Sequence, residues 1–467
     1  MLNYFNFRPF HDKILITNDF GKYAFLSPED FSLLVKGRLP KDSEQYCELA
    51  EKLFLYEGDE EIFLRRAQEA IKPGKNYLFT STALFIFVVT GWCNTSCVYC
   101  QARNGGLPSG GRMTPEMADK ALDIVFSSPS RAVNVEFQGG EPLGNFEVIR
   151  HIVTQAESRA EHGEKEVIFS LVSNLSLLTD ETLAFIKEHN ISLSTSLDGN
   201  RELHDKNRPL RSGESSFDLL ADKLPAIRAA GVELGAIETT TRSTLSRVKE
   251  LVDAYRAMGM HSIFLRPLTP LGAASVMWDQ IGYTPEEFTA FYRDCLQYLL
   301  HINKAGYFMA DGHARIFLSK ILCGETVNYM ELRSPCGASL GQMAFYHDGN
   351  VYTCDEGRML AEMGDPAFRL GTLDNSYSEL VESSVCKTAC AASVLENLPE
   401  CCDCVYQPYC GVCPVINYAL EKDVFAKAPG NSRCRTYKGM LDAIFDLLYE
   451  NDEETVQILK NWVRGNA

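Results

Sequence analysis

The sequence predicts an α/β fold built on an open, partial (β/α)6 barrel of TIM type, with a small strand-and-helix module before it and a cysteine-rich domain after it. Three observations lead there. Six apolar, strand-like runs begin near Ala83, Ala132, Val167, Ile191, Val232 and Ser262, with helical patterns such as Pro115–Phe126 and Asn145–Glu161 between them. Strands alternating with helices at this spacing build a parallel sheet, and six units suit an open barrel rather than a closed one of eight. Polar groups gather just after each run, where barrels of this kind keep their chemistry. They are Cys93 to Cys100, Gly139-Gly140-Glu141-Pro142, Ser173-Asn174, Ser196-Leu197-Asp198-Gly199, Thr239-Thr240 and Arg266. Finally, eleven of the sixteen cysteines fall in residues 311–440, where few apolar runs are long enough to build a core, so metal is expected to do that work.

The totals narrow the function classes. A chain of 467 residues is too long for one ordinary core. Its net charge of −17 argues against a nucleic-acid binder and against an anionic membrane surface. No apolar run reaches the length of a membrane span, and the N-terminus lacks a signal-peptide pattern, so a cytoplasmic protein is expected. Clustered thiols in a reducing compartment point to metal rather than disulfides. Cys47 and Cys295 stand alone in helical segments and read as small buried hydrophobes.

In order along the chain, residues 1–75 form the first module. Ile14–Thr17 and Tyr23–Leu26 read as strands around an Asn18–Gly21 turn. Ser27 caps a helix that has Pro28 at its first position, Asp30 completing a capping box, and Gly37 at its stop. Two further helices are expected at about Ser43–Tyr56 and Glu60–Lys72. A strand pair followed by helices resembles the winged-helix peptide-recognition element fused to maturases of ribosomal peptides, which binds a leader peptide as an added edge strand. A plain cap on the next domain is the alternative.

Residues 80–310 hold the barrel. Ala83–Thr90 reads as a buried strand, and Cys93, Cys97 and Cys100 follow it directly. Three thiolates at this spacing can hold three irons of a [4Fe–4S] cube and leave the fourth open to a small molecule; a zinc knuckle is the alternative. With Tyr99 before the last cysteine and the strand leading in, the stretch resembles the signature of the radical S-adenosylmethionine (SAM) enzymes. That resemblance implies a partial radical SAM barrel and carries roles with it. Gly139, Gly140 and Glu141 match the family's GGEP motif, the glycines letting the backbone approach the ligand and Glu141 accepting from the SAM ammonium. Ser196 matches a serine that contacts ribose or carboxylate. Arg208 resembles the arginine that pairs with the SAM carboxylate, with Arg211 as the alternative. Asn174 matches a family asparagine and, with Ser173 beside it, is expected to contact the cofactor, although Leu175 stands where a glycine is common. Loop capping is the bland reading of that pair.

Residues 311–440 carry a second spacing. Cys336 is followed by Gly349 and Cys354, and Cys401-x2-Cys404-x5-Cys410-x2-Cys413 by Cys434. The pattern resembles the SPASM extension of peptide-modifying radical SAM enzymes, with x2 in the last pair where x3 is frequent. Asp348-Gly349 fits a hairpin turn that brings Cys336 and Cys354 together. The family's crossed pattern implies two auxiliary [4Fe–4S] clusters, one on Cys336, Cys354 and Cys413 and one on Cys401, Cys404, Cys410 and Cys434. Cys323 is a candidate fourth ligand of the first; an open iron is the other. Cys386, Cys390 and Cys402 are left over, and two zinc sites are the competing reading of the region. Residues 441–467 read as a C-terminal helical segment of one or two helices.

Around Cys336, Cys354 and Cys410 the chain is similar to the maturases of the His-Xaa-Ser peptide system. The resemblance implies an oxidoreductase with three [4Fe–4S] clusters and SAM. Its 5′-deoxyadenosyl radical would abstract a side-chain hydrogen from a ribosomal precursor peptide and lead to an intramolecular crosslink, a cyclophane-type carbon–carbon bond being favoured. Asp355, directly after Cys354, is expected as the base that removes the leftover proton, with Glu356 next in line; capping the hairpin or pairing with Arg358 is the alternative. Implied partners are the precursor peptide, its leader bound by the N-terminal module, a flavodoxin- or ferredoxin-type electron donor, and a second radical SAM enzyme. Alternatives are a thioether-forming maturase, a sulfatase-type serine or cysteine oxidase, an iron–sulfur electron carrier and a zinc-stabilised peptide-binding scaffold.

Overall fold

The computed structural model describes residues 1–56, 58–103, 110–161, 163, 165–325 and 329–465. Its first module is a three-stranded antiparallel sheet, β1 (Asn6–Phe10), β2 (Lys13–Thr17) and β3 (Tyr23–Leu26). The sequence announces only the last two. Pro9 lies inside β1 and reads against a strand, yet β1 is an edge, where a missing N–H leaves no ladder bond unmade. Ser27 caps the following helix by accepting from Asp30 N at 3.0 Å. The next helix stops at Glu51, short of the expected Tyr56, because Leu53 takes a positive φ of 64° and turns the chain back. The third, Glu60–Lys75, runs past Pro73.

Alternation along β2 gives the module two apolar faces. Ile16 packs with Ala24, Leu26, Leu34 and Phe54 in the module's own core. Phe10 and Leu15 belong instead to the main core. That second face meets the C-terminal helix Ser432–Glu450, with Phe25 at 5.4 Å from Tyr449 and Arg8 paired to Asp442 at 2.6 Å. Thr17 Oγ1 donates to Val405 O (2.7 Å), so the module is seated on the cysteine-rich region.

The barrel strands are β4 (Leu84–Thr90), β5 (Ala132–Gly139), β6 (Glu166–Val172), β7 (Ser192–Ser196), β8 (Leu234–Thr239) and β9 (Ser262–Arg266), all parallel. A two-residue strand, β10 (Ala310–Asp311), extends this edge beside β9. Successive side chains face opposite ways. Phe85, Phe87 and Val89 of β4, Val133, Val135 and Phe137 of β5, and Phe169 and Leu171 of β6 are buried in the main core. Val88, Glu136, Gln138, Val172, Ser194, Ser196, Ile237, Thr239 and Arg266 line an inner cavity. Register keeps these inner residues level: Val88 faces Gln138, Val172 faces Ser194, Ser196 faces Ile237, and Thr239 faces Arg266.

The cysteine-rich region contributes more regular structure than expected. Strand β11 (Gln342–Tyr346) is buried throughout and pairs in parallel with β4. The hairpin at Asp348-Gly349 leads to β12 (Asn350–Tyr352), and β13 (Arg369–Thr372) closes a ten-stranded sheet of order β10-β9-β8-β7-β6-β5-β4-β11-β12-β13. A run of five residues is too short to stand out in the sequence, but stacked on the barrel edge it supplies core. Phe345 lies 5.9 Å from Phe85 and 5.0 Å from Phe87. Helix Ser432–Glu450 spans the expected boundary at 440 and carries Cys434 near its start; Asn451, at φ 51°, separates it from helix Glu453–Arg464. Among the described residues no helix is long and apolar enough to cross a membrane.

If β11 is core, Phe345→Ala should cost about 3–5 kcal/mol in denaturant unfolding of the anaerobic protein. A loss below about 1 kcal/mol would mean that β11 contributes little to the fold.

Candidate active site at the strand ends

The loop after β4 holds Cys93, Cys97 and Cys100 against the sheet. Gly140 N donates to Thr90 O and Glu141 N to Trp92 O, both at 2.8 Å. This crossing explains the two glycines. A Cβ on Gly139 would sit 2.4 Å from Thr90 O, and one on Gly140 2.2 Å from Trp92 O. The sequence reading gave the glycines to the ligand; in the structure the space is taken by the backbone of the thiol loop, although both residues also line the cavity.

Glu141 is 1% exposed. Its carboxylate accepts from Leu143 N (3.1 Å), Ser173 Oγ (2.7 Å) and Asn174 N (2.8 Å), which ties the end of β5 to the end of β6. Burial pushes the acid up to about 7 against the pull of those donors. Asn174 Nδ2 donates to Asn94 Oδ1 (2.9 Å), reaching back to the thiol loop. Leu175 is buried at φ 62°, the left-handed conformation that a glycine adopts freely. Leu175 holds the turn there at a strain of about 1–3 kcal/mol.

A cavity of about 380 Å³ collects Cys93, Cys97, Tyr99, Cys100, Gly139, Gly140, Ser173, Asn174, Ser196 and Arg208. Opposite them, from helix Asp355–Glu362, stand Asp355, Arg358, Met359 and Glu362. Arg208 is fixed by neighbours. Its Nε donates to Asp198 Oδ2 (3.1 Å), its guanidinium lies 5.2 Å from the Tyr99 ring centre, and Nη1 points at Cys97 Sγ (3.9 Å). Tyr99 Oη donates to the same Asp198 oxygen at 2.5 Å. Arg211, the alternative, is exposed. Asp355 accepts from Arg358 Nε (3.1 Å) and Nη2, so the sequence's alternative of pairing with Arg358 is what the geometry shows, with Asp355 still at the cavity wall.

The C-terminal thiols gather in two groups that share Cys413. Cys336, Cys354 and Cys413 share one small apolar cluster with Leu360, Phe368 and Val415. Cys401, Cys404, Cys410, Cys413 and Cys434 line a cleft about 30 Å³ in volume. Burial, with the Glu356 and Glu331 charges, pushes Cys336 to about 11; burial, Glu356 and neighbouring thiols raise Cys354 and Cys413 well above the usual thiol range; burial and neighbouring thiols push Cys401 to about 12 and Cys434 to about 11. Burial likewise pushes Cys100 to about 11, with Cys97 and Cys93 adding to it. Cys323, by contrast, is exposed at the end of a π-helical turn. Cys386 is buried on helix Ser384–Ala391, one turn before Cys390, and Cys402 faces Asp403 at 3.7 Å.

These donor sets fit iron–sulfur clusters. Buried thiols that repel each other's charge are stabilised when a metal centre takes them as thiolates. Between the two C-terminal sets lies Arg433, whose Nε and Nη1 are buried without a partner among the described residues. It acts on Cys413, Cys410 and Cys434, and N–H donors aimed at cluster sulfurs are what such groups suit.

Sequence reasoning passed over Arg433 and Glu331, which pair with each other across 102 residues. Glu136 and Gln138 were legible in principle, as polar residues alternating with Val135 and Phe137.

Residues 87–270 match the Radical SAM superfamily model. A cysteine-type anaerobic sulfatase-maturating enzyme of Clostridium novyi is 22% identical over 337 residues, 71% of this chain and 87% of that protein. The radical SAM cyclopropyl synthase TigE of Paramaledivibacter caminithermalis is 23% identical over 41% of this chain and 40% of its own length. Among solved structures, anSMEcpe with bound AdoMet superposes with a TM-score of 0.68 at 20% identity, covering 81% of this chain and 99% of that one. SuiB of Streptococcus suis bound to precursor peptide SuiA gives 0.54 at 14% identity, covering 90% and 96%.

Replacing Cys93, Cys97 and Cys100 together by Ala should remove about four irons from anaerobically reconstituted protein, one cube's worth. Iron analysis checks it; full iron retention would take the trio out of cluster binding.

Proposed function

From the premise that this chain is a radical SAM enzyme, with its radical SAM domain at residues 87–270, we propose that it matures a ribosomally made peptide by crosslinking two of its side chains. The observation that carries this reading is one cavity, walled on one side by the Cys93, Cys97 and Cys100 loop and on the other by Asp355, Arg358 and Glu362 of the cysteine-rich region. A catalyst that needed only to cleave SAM would have no use for the second wall.

Cys93, Cys97 and Cys100 would hold the [4Fe–4S] cluster that the family uses with SAM, and that pair supplies a 5′-deoxyadenosyl radical able to take a hydrogen from an unactivated carbon. Cys336, Cys354 and Cys413, and Cys401, Cys404, Cys410 and Cys434, would hold two auxiliary clusters, which supply one-electron acceptors.

The chain's own residues do the rest. Ser173, Asn174 and Ser196 offer hydrogen bonds at the strand ends, and Glu141 holds two of those ends in place. Arg208, anchored on Asp198, presents a fixed cation at the cavity wall. Asp355 takes the proton left when the substrate radical closes on its partner, and Arg358 keeps its carboxylate turned to the cavity. A cyclophane-type carbon–carbon bond is the product favoured.

The N-terminal module binds the leader. SuiB, of similar fold over most of this chain, was solved with its precursor peptide, and here Phe7 is exposed on edge strand β1 beside Phe31 at 4.9 Å. An added strand there would cover both. The second reading, a sulfatase-type serine or cysteine oxidase, draws on the Clostridium novyi relative; it predicts oxidation of one residue rather than a link between two.

Two outcomes are expected. Asp355→Asn should keep its iron and its dithionite-driven deoxyadenosine release, yet crosslink a co-encoded short peptide about tenfold or more slowly. Crosslinking at the wild-type rate would remove the base assignment. Phe7→Asp should weaken leader binding in fluorescence anisotropy and leave deoxyadenosine release unchanged; unaltered leader affinity would favour a plain cap. Point substitution is the right tool, because deleting the module would bare Phe445 and Tyr449, on which Tyr23 and Phe25 pack.

A further inference from the structure

A second cavity lies beside the one that holds the first three thiols. It is about 50 Å³ in volume, and Gln101 and Arg266 line both. Its wall runs from the end of β9 to helix Ser432–Glu450, with Leu268, Trp278 and Ile416 supplying apolar surface and His313, Glu331 and Arg433 polar groups. Among the described residues no thiol lines it, so it is not space kept for a cluster. We propose that this cavity receives one side chain of the precursor peptide, a neutral group that donates a hydrogen bond to His313 Nε2. The inference rests on the reading of the chain as a peptide maturase and deepens it.

His313 is 1% exposed and held from behind. It is the second residue of helix Gly312–Leu318, and Gly312 lets that helix start close against β9: a Cβ there would meet the Phe264 ring at 2.2 Å. The imidazole lies 4.3 Å from the same ring, centre to centre, and its Nδ1 is 2.9 Å from Leu265 O. A carbonyl oxygen only accepts, so Nδ1 carries the hydrogen and Nε2 of the neutral ring is an acceptor. Burial pushes the imidazolium down to about 4, so the ring is neutral at pH 7. Nε2 is buried and has no partner among the described residues. An acceptor left so is costly, and a donor brought in by a ligand removes the cost.

Neighbouring polar groups are engaged with one another. Tyr283 Oη accepts from Leu268 N at 2.6 Å. Glu331 accepts from Arg433 Nη2 and Tyr329 Oη, both at 3.3 Å, and from Tyr437 Oη at 3.5 Å. The charged residues of the wall are Arg266 and Arg433 against Glu331 and Glu356, two of each sign, so a charged occupant would meet no net counter-charge. Arg266 Nη2 stands 3.6 Å from Glu356 and 3.9 Å from Glu331, beyond hydrogen-bond reach, and can donate to an occupant. A hydroxyl, a carboxamide or a neutral imidazole gives one hydrogen bond and takes another, and each is compact. The residues shared with the first cavity put such a side chain beside the Cys93, Cys97 and Cys100 loop, so the pocket sets which stretch of the peptide is presented there.

The test uses full-length, anaerobically reconstituted enzyme and the short peptide encoded beside its gene, each peptide residue being replaced in turn by Ala. His313→Asn keeps a donor for Leu265 O and removes the Nε2 acceptor, whereas His313→Gln sets an amide oxygen near the place of Nε2. Expected in His313→Asn is a KM for crosslinking raised about tenfold, with His313→Gln within about threefold of wild type. One peptide position should couple to this: its Ala replacement raises KM about tenfold with wild-type enzyme and less than about twofold with His313→Asn. Thr269→Phe adds bulk elsewhere on the wall and should erase the same preference, which decides the matter should His313→Asn lose its iron. Unchanged KM in His313→Asn and Thr269→Phe, or no peptide position coupled to either, would overturn the assignment and leave the cavity to water. An enzyme that releases deoxyadenosine yet never alters the peptide's mass would fail the maturase reading itself.

Discussion

Two backbone hydrogen bonds, Gly140 N to Thr90 O and Glu141 N to Trp92 O, hold the thiol loop to the neighbouring strand end, and the site is built outward from them. Glu141 carries the connection on to Ser173 and Asn174, and Asn174 returns it to Asn94 in the loop. The result is a closed ring of hydrogen bonds that fixes the start of the thiol loop around Cys93. A loop of this length has little apolar surface to fix it, so polar closure must do so, and each bond in a buried ring is worth more than one in water.

Against a net charge of −17, the interior around the cavity is rich in arginine. Arg208 faces Asp198, Arg358 faces Asp355, and Arg433 faces Glu331. Buried pairs add little net stability, but removing one partner typically costs about 3–5 kcal/mol. Their value here is geometric. Each fixes a planar cation beside a thiol or a cavity wall, and none could be moved by thermal motion without uncovering an unpaired charge.

The sequence makes the barrel legible because the helix-facing side of most strands is apolar at period two, although β7 and β8 carry Thr195 and Glu238 there; all six starts fall within two residues of the observed ones. Short or atypical strands escaped: β1 because of Pro9, β11 because five residues make no pattern. For the site, local spacing led to the thiols and strand-end residues. The ion-pair partners were not legible, since Asp198 and Arg208, or Glu331 and Arg433, are joined only by folding. The grouping of Cys336 and Cys354 with Cys413 came from family likeness and not from spacing, which would as readily have linked Cys413 to Cys410. The glycines were recognised from their motif; besides lining the cavity, they accommodate the chain's own backbone, which the sequence did not announce.

The seating of the N-terminal sheet has a consequence for biosynthesis. Arg8 and its partner Asp442 are 434 residues apart. While the ribosome is at work, the face of β1 and β2 bearing Phe10 and Leu15 has nothing to cover it, because the helix it needs is among the segments made near the end. The nascent chain must carry that sticky surface throughout translation, and a truncated product would keep it. Such contacts of long sequence separation form slowly and invite capture by chaperones or by other nascent chains. The ordering makes the intact C-terminal helix a checkpoint for the whole molecule's quality.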